Sequence, residues 1–482
     1  VKIKKSIIAC AVVMAFGAQT SALAADDTKT TEVQVNRDFM AEATGNVISL
    51  SQTSQAGAVL GNEVSLTQEG DQNGVDVIVN GDGNETEITQ IGVNNVAVSG
   101  STGDNNTQLI TQDGEGNESD NTITGNGNSI DVVQLGDGFL GIQNRTINVI
   151  EGDDNEVTME QGDGGHWSYN RGMTGSGNTI NTLQSGEWNE IHMDGIVGDN
   201  NDIEVEQDGY FSVTRLTDLQ GSDNELSVEQ QGDRNRVTID EILGDENRIE
   251  IDQEGNSNEV TSSLFTGVDN DINMTQVGDD NTSTFEVIGD ENDFDVGQTG
   301  SANDSYVGVL GADNEVAVLQ IGDSNESHVV NFNGDGNDIN VTQVGSQNVS
   351  VIQASADDNS LVADSNDIDV TQTGDMNDAV VNMSTILDSN ENTLDIVQDG
   401  DLNALDILIE GSSNTIGISQ IGNDNIITGE NGEAMLIGGV GMELNISQLG
   451  EGNFIEGNII SDGGSITISQ VGDFNSTTIV QQ

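Results

Sequence analysis

The chain contains no proline. Average usage would put roughly two dozen prolines in a sequence of this length. Proline lacks a backbone N–H and is excluded wherever every amide must donate to a strand ladder. Its complete absence fits one continuous system of sheets. Cysteine occurs once, at Cys10, so disulfides are not expected to hold the remainder together. Aromatic residues make up only 3% of the chain, which makes any local concentration of them informative. Lysine and arginine together number 11 against 84 acidic residues, for a formal charge of −73. No lysine follows Lys29 and no arginine follows Arg248. Such a surface repels a phosphate backbone, so nucleic acid is not an expected partner, nor is a bare anionic membrane. It also opposes compaction at low ionic strength, so salt, cations or acid should matter to whatever the chain forms. No stretch beyond the amino terminus reaches the roughly 18 apolar residues of a membrane span.

The first residues read as a secretory signal. Lys2, Lys4 and Lys5 precede a short apolar run, Ile7 to Gly17, and Ala22-Leu23-Ala24 is a small-residue cleavage site. The expected organisation is a signal peptide over 1–24, a flexible leader over 25–45 and a repeat region over 46–482.

The repeat dominates the remainder. Gln-x-Gly-x-x-Asn occurs intact fifteen times. Its glutamines are Gln68, Gln90, Gln112, Gln184, Gln230, Gln253, Gln276, Gln298, Gln320, Gln343, Gln372, Gln398, Gln420, Gln448 and Gln470. The asparagines that close it are Asn73, Asn95, Asn117, Asn189, Asn235, Asn258, Asn281, Asn303, Asn325, Asn348, Asn377, Asn403, Asn425, Asn453 and Asn475. Degenerate copies at Gln134, near Gln161 and at Gln207 bring the units to eighteen, mostly 22 or 23 residues apart. Midway between them a Gly-x-x-Asn recurs without glutamine, as from Gly81 to Asn84 and from Gly311 to Asn314. Between turns the period is two. Asn314, Val316, Val318, Gln320 and Gly322 alternate with Glu315, Ala317, Leu319 and Ile321. Alternation of this kind is a half-buried strand with glutamine on the inward face. Gly, Asp and Asn at the turns accept positive φ.

The predicted fold is therefore all-β: a two-sheet parallel β-solenoid of about eighteen stacked 22-residue strand-turn-strand-turn coils. One coil cannot bury its apolar face alone, so stacking supplies both hydrogen bonds and core. A glutamine recurring once per coil can bond to its copies above and below as an amide ladder, and the asparagines can do the same. Such ladders serve either as a polymerisation register or as corner packing inside one folded stack.

The unit from Asn62 through Val64, Leu66, Gln68 and Gly70 to Asn73 resembles the curlin repeat, and the resemblance runs from residue 46 to 482. Curlins are subunits of bacterial curli, extracellular functional amyloid fibres of biofilm and adhesion. The resemblance implies secretion by a Gram-negative bacterium through a curli-type outer-membrane channel. It also implies a nucleator partner and fibre growth by coil-on-coil self-association, with the Gln and Asn positions above as polymerisation residues. Where family members carry a second glutamine, this chain mostly carries an apolar residue.

Catalysis is not expected. His166, His192 and His328 share no metal-ligand spacing, and no nucleophile elbow is present. A glycan-active β-helix is the enzyme alternative, disfavoured by the short uniform coils. No cofactor is expected and no defined metal site is assigned. Rows of turn carboxylates suit diffuse association with Ca²⁺ or other cations. Departures from the regular spacing predict loops at 139–150, 164–171, 355–365, 381–390 and 426–438. The second holds His166, Trp167, Tyr169 and Arg171, with Trp188 a coil later, and is the candidate contact for a surface, glycan or other partner, against the alternative of a loop packing on itself. A monomeric acidic β-solenoid adhesin, or a cation-binding surface protein, is the alternative to a fibre subunit.

Overall fold

The computed structural model describes residues 31–32, 45–54, 61–137, 143–162, 164–262, 265–330, 334–354 and 361–481. The expected signal peptide lies outside these residues, as does most of the leader. The described residues divide between Arg234 and Asn235 into two compact units. Each is a β-solenoid of two parallel sheets, and among the described residues the helical content is one 3₁₀ turn, Glu430–Gly432.

In the first unit one sheet consists of the glutamine-bearing strands, beginning with Glu63–Asp71, Glu85–Val93 and Thr107–Glu115 and ending with Glu225–Gln231. The other runs from Val47–Thr53 through Gly74–Asn80 and Val96–Thr102 to Val213–Gln220. Each of these strands pairs in parallel with its equivalent one coil away, so Gln68 faces Gln90 and Gln90 faces Gln112; the short strand Thr31–Glu32 pairs antiparallel with Val47–Thr53. The second unit repeats the scheme, with a glutamine sheet from Arg248–Asn256 to Ser465–Val471. Eight glutamine strands belong to the first unit and ten to the second, matching eighteen coils.

The alternation read from sequence decides which side chains are inside. In Asp293–Ser301, Phe294, Val296 and Gln298 are buried, while Asp293 and Asp295 face out. The core is a thin apolar layer of such Val, Ile, Leu and Met residues between the two sheets. Stacking brings backbones so close at the turns that a side chain has no room. A Cβ on Gly92, at φ +110°, would lie 2.0 Å from the carbonyl oxygen of Gly114.

The difference between 22- and 23-residue coils has a local cause. In the longer coils the second sheet carries one extra residue at positive φ: Gly172, Gly195 and Asp218 in the first unit and Glu241 in the second. The three of the first unit recur at the coil period and form a stacked β-bulge, visible as the register shift between Val149/Ile150 and Arg171/Met173.

The expected loops are corrected in extent. Arg145–Glu151 and Trp167–Thr174 are strands of the second sheet, so neither 139–150 nor 164–171 is a loop throughout; residues 138–142 lie outside the described set. The 164–171 run keeps an ordinary coil length, and its departure from the motif is a substitution rather than an insertion. The loop predicted at 381–390 is confined to the stretch after Asp378–Met383. There the buried Glu410 of the next coil accepts bonds from the backbone amides of Thr385, Ile386 and Leu387. The run 426–438 contains strand Ile426–Thr428, the 3₁₀ turn and the start of strand Met435–Val440. Of the run 355–365, residues 355–360 lie outside the described set.

Candidate functional site

The recurring glutamines sit on the inward face one turn before glycine, and nearly all are fully buried. A buried primary amide needs partners on both sides, because each unmet bond costs roughly 1–3 kcal/mol. The stack provides them. In the first unit each Nε2 donates to the Oε1 of the next coil at 2.8–2.9 Å, from Gln68 through Gln90, Gln112, Gln134, Gln161, Gln184 and Gln207 to Gln230. The second unit does the same from Gln253 through Gln276, Gln298, Gln320, Gln343, Gln372, Gln398, Gln420 and Gln448 to Gln470. The remaining Nε2 hydrogen goes to backbone, as from Gln90 to the Gly74 carbonyl at 3.0 Å. The degenerate units at Gln134, Gln161 and Gln207 are thus full members of the ladder.

The asparagines after the turns clamp neighbouring coils through backbone. Asn73 Oδ1 accepts from the amide of Asn95 at 3.0 Å, and Asn73 Nδ2 donates to the Gly92 carbonyl at 3.0 Å. Asn281, Asn303, Asn325, Asn348 and Asn377 repeat the pattern. A second asparagine ladder runs along the opposite corner, through Asn84, Asn106 and Asn128 and through Asn270, Asn292 and Asn314. These residues belong with the candidate site, and the midway Gly-x-x-Asn was their signal. The first ladder lapses at Asn117, whose Oδ1 has no partner among the described residues.

His166 takes the place of an asparagine in this row. It is buried, its amide donates to Asn144 Oδ1 at 2.8 Å, and its Nδ1 accepts from the Asn189 amide at 3.3 Å. It is a corner residue, not a surface ligand. Trp167, Tyr169 and Arg171 follow on the outward face of one strand. The Arg171 guanidinium stacks 4.5 Å from the Tyr169 ring centre and that of Arg145 lies 5.8 Å away. The His192 ring, one coil on, is 5.1 Å from Tyr169, and Trp167 is 6.2 Å from it. Tyr169 is only 4% exposed. Burial pushes its phenol above the usual range, against the pull of Arg145 and Arg171.

Around the corner lies a second aromatic group. Trp188 and Phe211 occupy the same turn position in successive coils, with ring centres 4.9 Å apart, and Tyr210 meets Phe211 edge-on at 4.4 Å. Arg234 holds that position one coil later. All three have left-handed backbone, φ 65°, 61° and 60°. That conformation costs a side-chain-bearing residue about 1–2 kcal/mol. Elsewhere the position is mostly Asn, Asp, Ser, Gln or Gly, with Phe474 the other aromatic.

Outward carboxylates stack at the coil repeat. Burial raises the pKa of Asp293, and the nearby Asp271 and Asp295 push it further up. Asp367 is raised by burial, then by Asp369 and Asp338; Asp378 by burial, then by Asp406 and Glu326. A carboxyl whose pKa is raised by folding adds stability below its unfolded value, and that stability is lost as pH rises through the folded value. The second unit is therefore expected to have a higher urea midpoint in mild acid than at neutral pH, with salt narrowing the gap. A flat profile from mild acid to neutral pH would remove stacking repulsion as a force in this fold. Among the described residues no three or more His, Cys, Asp or Glu side chains converge as a metal site, and no helix is long and apolar enough to cross a membrane.

No curated protein matches the chain. The curlin associated repeat matches at residues 61–92, 81–114, 175–209, 221–255, 244–276, 267–300, 311–345 and 390–427, together half of the sequence. Those segments carry thirteen of the eighteen ladder glutamines and the glycine turns that follow them, and on that ground the chain belongs to the curlin-associated repeat family.

Proposed function

We propose that this protein is a secreted structural subunit of curli-like extracellular fibres, acting in surface attachment and the biofilm matrix. The observation that carries the reading is the ladder. Each coil offers its neighbour the same glutamine acceptor, and most offer the same asparagine clamp and backbone register. A coil of a second chain can meet those groups as readily as a coil of the same chain, because the chemistry repeats at each step. The family resemblance adds a curli-type secretion channel and a nucleator as expected partners.

The alternative is a monomeric acidic adhesin or cation-binding surface protein, favoured by one observation: the coils of each unit already form a continuous glutamine ladder among themselves. Electron microscopy and sedimentation of residues 25–482, diluted from denaturant into moderate salt with Ca²⁺, separate the two. Fibres with a reflection at about 4.7–4.8 Å, forming faster with salt, divalent cations or acid, are the expected result. Particles that stay monodisperse at every concentration would leave the adhesin.

A further inference from the structure

The aromatic corner of the first unit is not explained by coil stacking. Trp188 and Phe211 stand in left-handed backbone where Asn or Gly would sit without strain. Left-handed backbone is common to this turn position, Met376 and Leu402 included; what sets this corner apart is a pair of contacting aromatic rings from successive coils, joined by Tyr210. Both tryptophans of the chain, and two of its three tyrosines, lie within a few coils of this corner. The rings are partly open to solvent, with Phe211 37% exposed. They form a column along the coil axis that ends in Arg234. A second column beside it carries Glu187, in register with Tyr210, and then Asp233, which precedes Arg234 in its turn.

We propose that this corner binds a neutral polysaccharide chain lying along the coil axis. Ring faces cover the apolar C–H face of a sugar, and carboxylate and guanidinium groups at the edges bond its hydroxyls. Charge selects the class. Glu187 and Asp233 within the columns, on a chain of formal charge −73, repel polyanions, including acidic glycans. A neutral glycan carries no such penalty, and an extended one matches columns that repeat with the coils. The inference goes beyond a fibre role and does not depend on one, since the corner is complete within one folded unit.

The test uses the whole chain at low salt, kept unassembled and checked by sedimentation. Tryptophan emission is the readout, since Trp167 and Trp188 both belong to this region. Titration with a soluble neutral β-glucan and with a neutral mannan is expected to give a saturable change with at least one, and none with alginate as the anionic control. Trp188→Asn with Phe211→Asn should weaken binding, followed by affinity electrophoresis, by about tenfold or more. The same pair should raise the unfolding midpoint, because asparagine accepts the left-handed backbone. Phe211→Asn alone keeps both tryptophans and should show the same trend in emission. Three results would each overturn the proposal: no response to either neutral glycan, undiminished binding in the double variant, or a response that follows chain concentration instead of glycan. The last would assign the corner to contact with a second copy. A lowered midpoint with unchanged glycan affinity would make the aromatics packing residues.

Discussion

Gln276→Glu is expected to unfold the second unit at neutral pH and to leave it largely folded in mild acid. Gln276 is fully buried. It accepts from Gln253 at 2.8 Å and donates both to Gln298 Oε1 at 2.8 Å and to the Glu259 carbonyl at 3.2 Å. Glutamate has the same shape but no N–H. Its ionised form would aim negative charge at two oxygen acceptors in a dry interior, a loss on the order of 4 kcal/mol or more. Protonation removes the charge and restores one donor, so part of the stability should return as pH falls. Urea unfolding followed by circular dichroism at both pH values reads the effect. A neutral-pH midpoint equal to that of the parent chain would show that the ladder is incidental to stability. Gln276→Met is the companion variant: it breaks the ladder without adding charge, and should cost less and show little pH dependence.

Gly92→Ala should be nearly as damaging for a different reason. The new Cβ would lie 2.0 Å from the Gly114 carbonyl oxygen, and the backbone at φ +110° is one that L-residues avoid. Strain and overpacking together amount to roughly 3–5 kcal/mol. The obstruction is backbone against backbone, so no rotamer change relieves it; the coils must separate. Gly172→Ala is the control, since it has a similar φ of +110° but nothing within 4 Å of its Cβ. It should lose only the conformational part. Equal losses at the two positions would mean that close approach of coils is not what glycine serves at the turns.

The sequence was most readable where one residue type repeats at one place in the cross-section. Period-two alternation and Gln-x-Gly-x-x-Asn fixed which side chains face inward, because stacking makes every coil solve the same packing problem. Legibility failed where different residues do the same job. Gly172, Gly195 and Asp218 form one stacked bulge in the first unit, and Glu241 has the same backbone in the second, yet they share no chemistry beyond tolerating positive φ. His166 reads as a lone histidine in a polar run, but its Nδ1 stands where an asparagine oxygen would be. Once it is placed in that row, the apparent loop over 164–171 becomes an ordinary strand. Trp188 and Phe211 did carry a signal: aromatic residues inside Gly-x-x-Asn or its degenerate form, where turn chemistry disfavours them. The division at Arg234/Asn235 has no counterpart in the motif spacing, which runs through that point without change.

Every glutamine amide in the ladder points the same way. Nε2 donates toward the following coil and Oε1 accepts from the preceding one, without reversal in either unit. Aligned dipoles reinforce one another, much as peptide dipoles do along a helix. Each unit consequently has a chemical head and tail: a coil arriving on one side must bring donors, and on the other acceptors. Any assembly that extends these ladders inherits that direction. Its two ends would differ in growth rate, and an end-blocking molecule built for one would not fit the other.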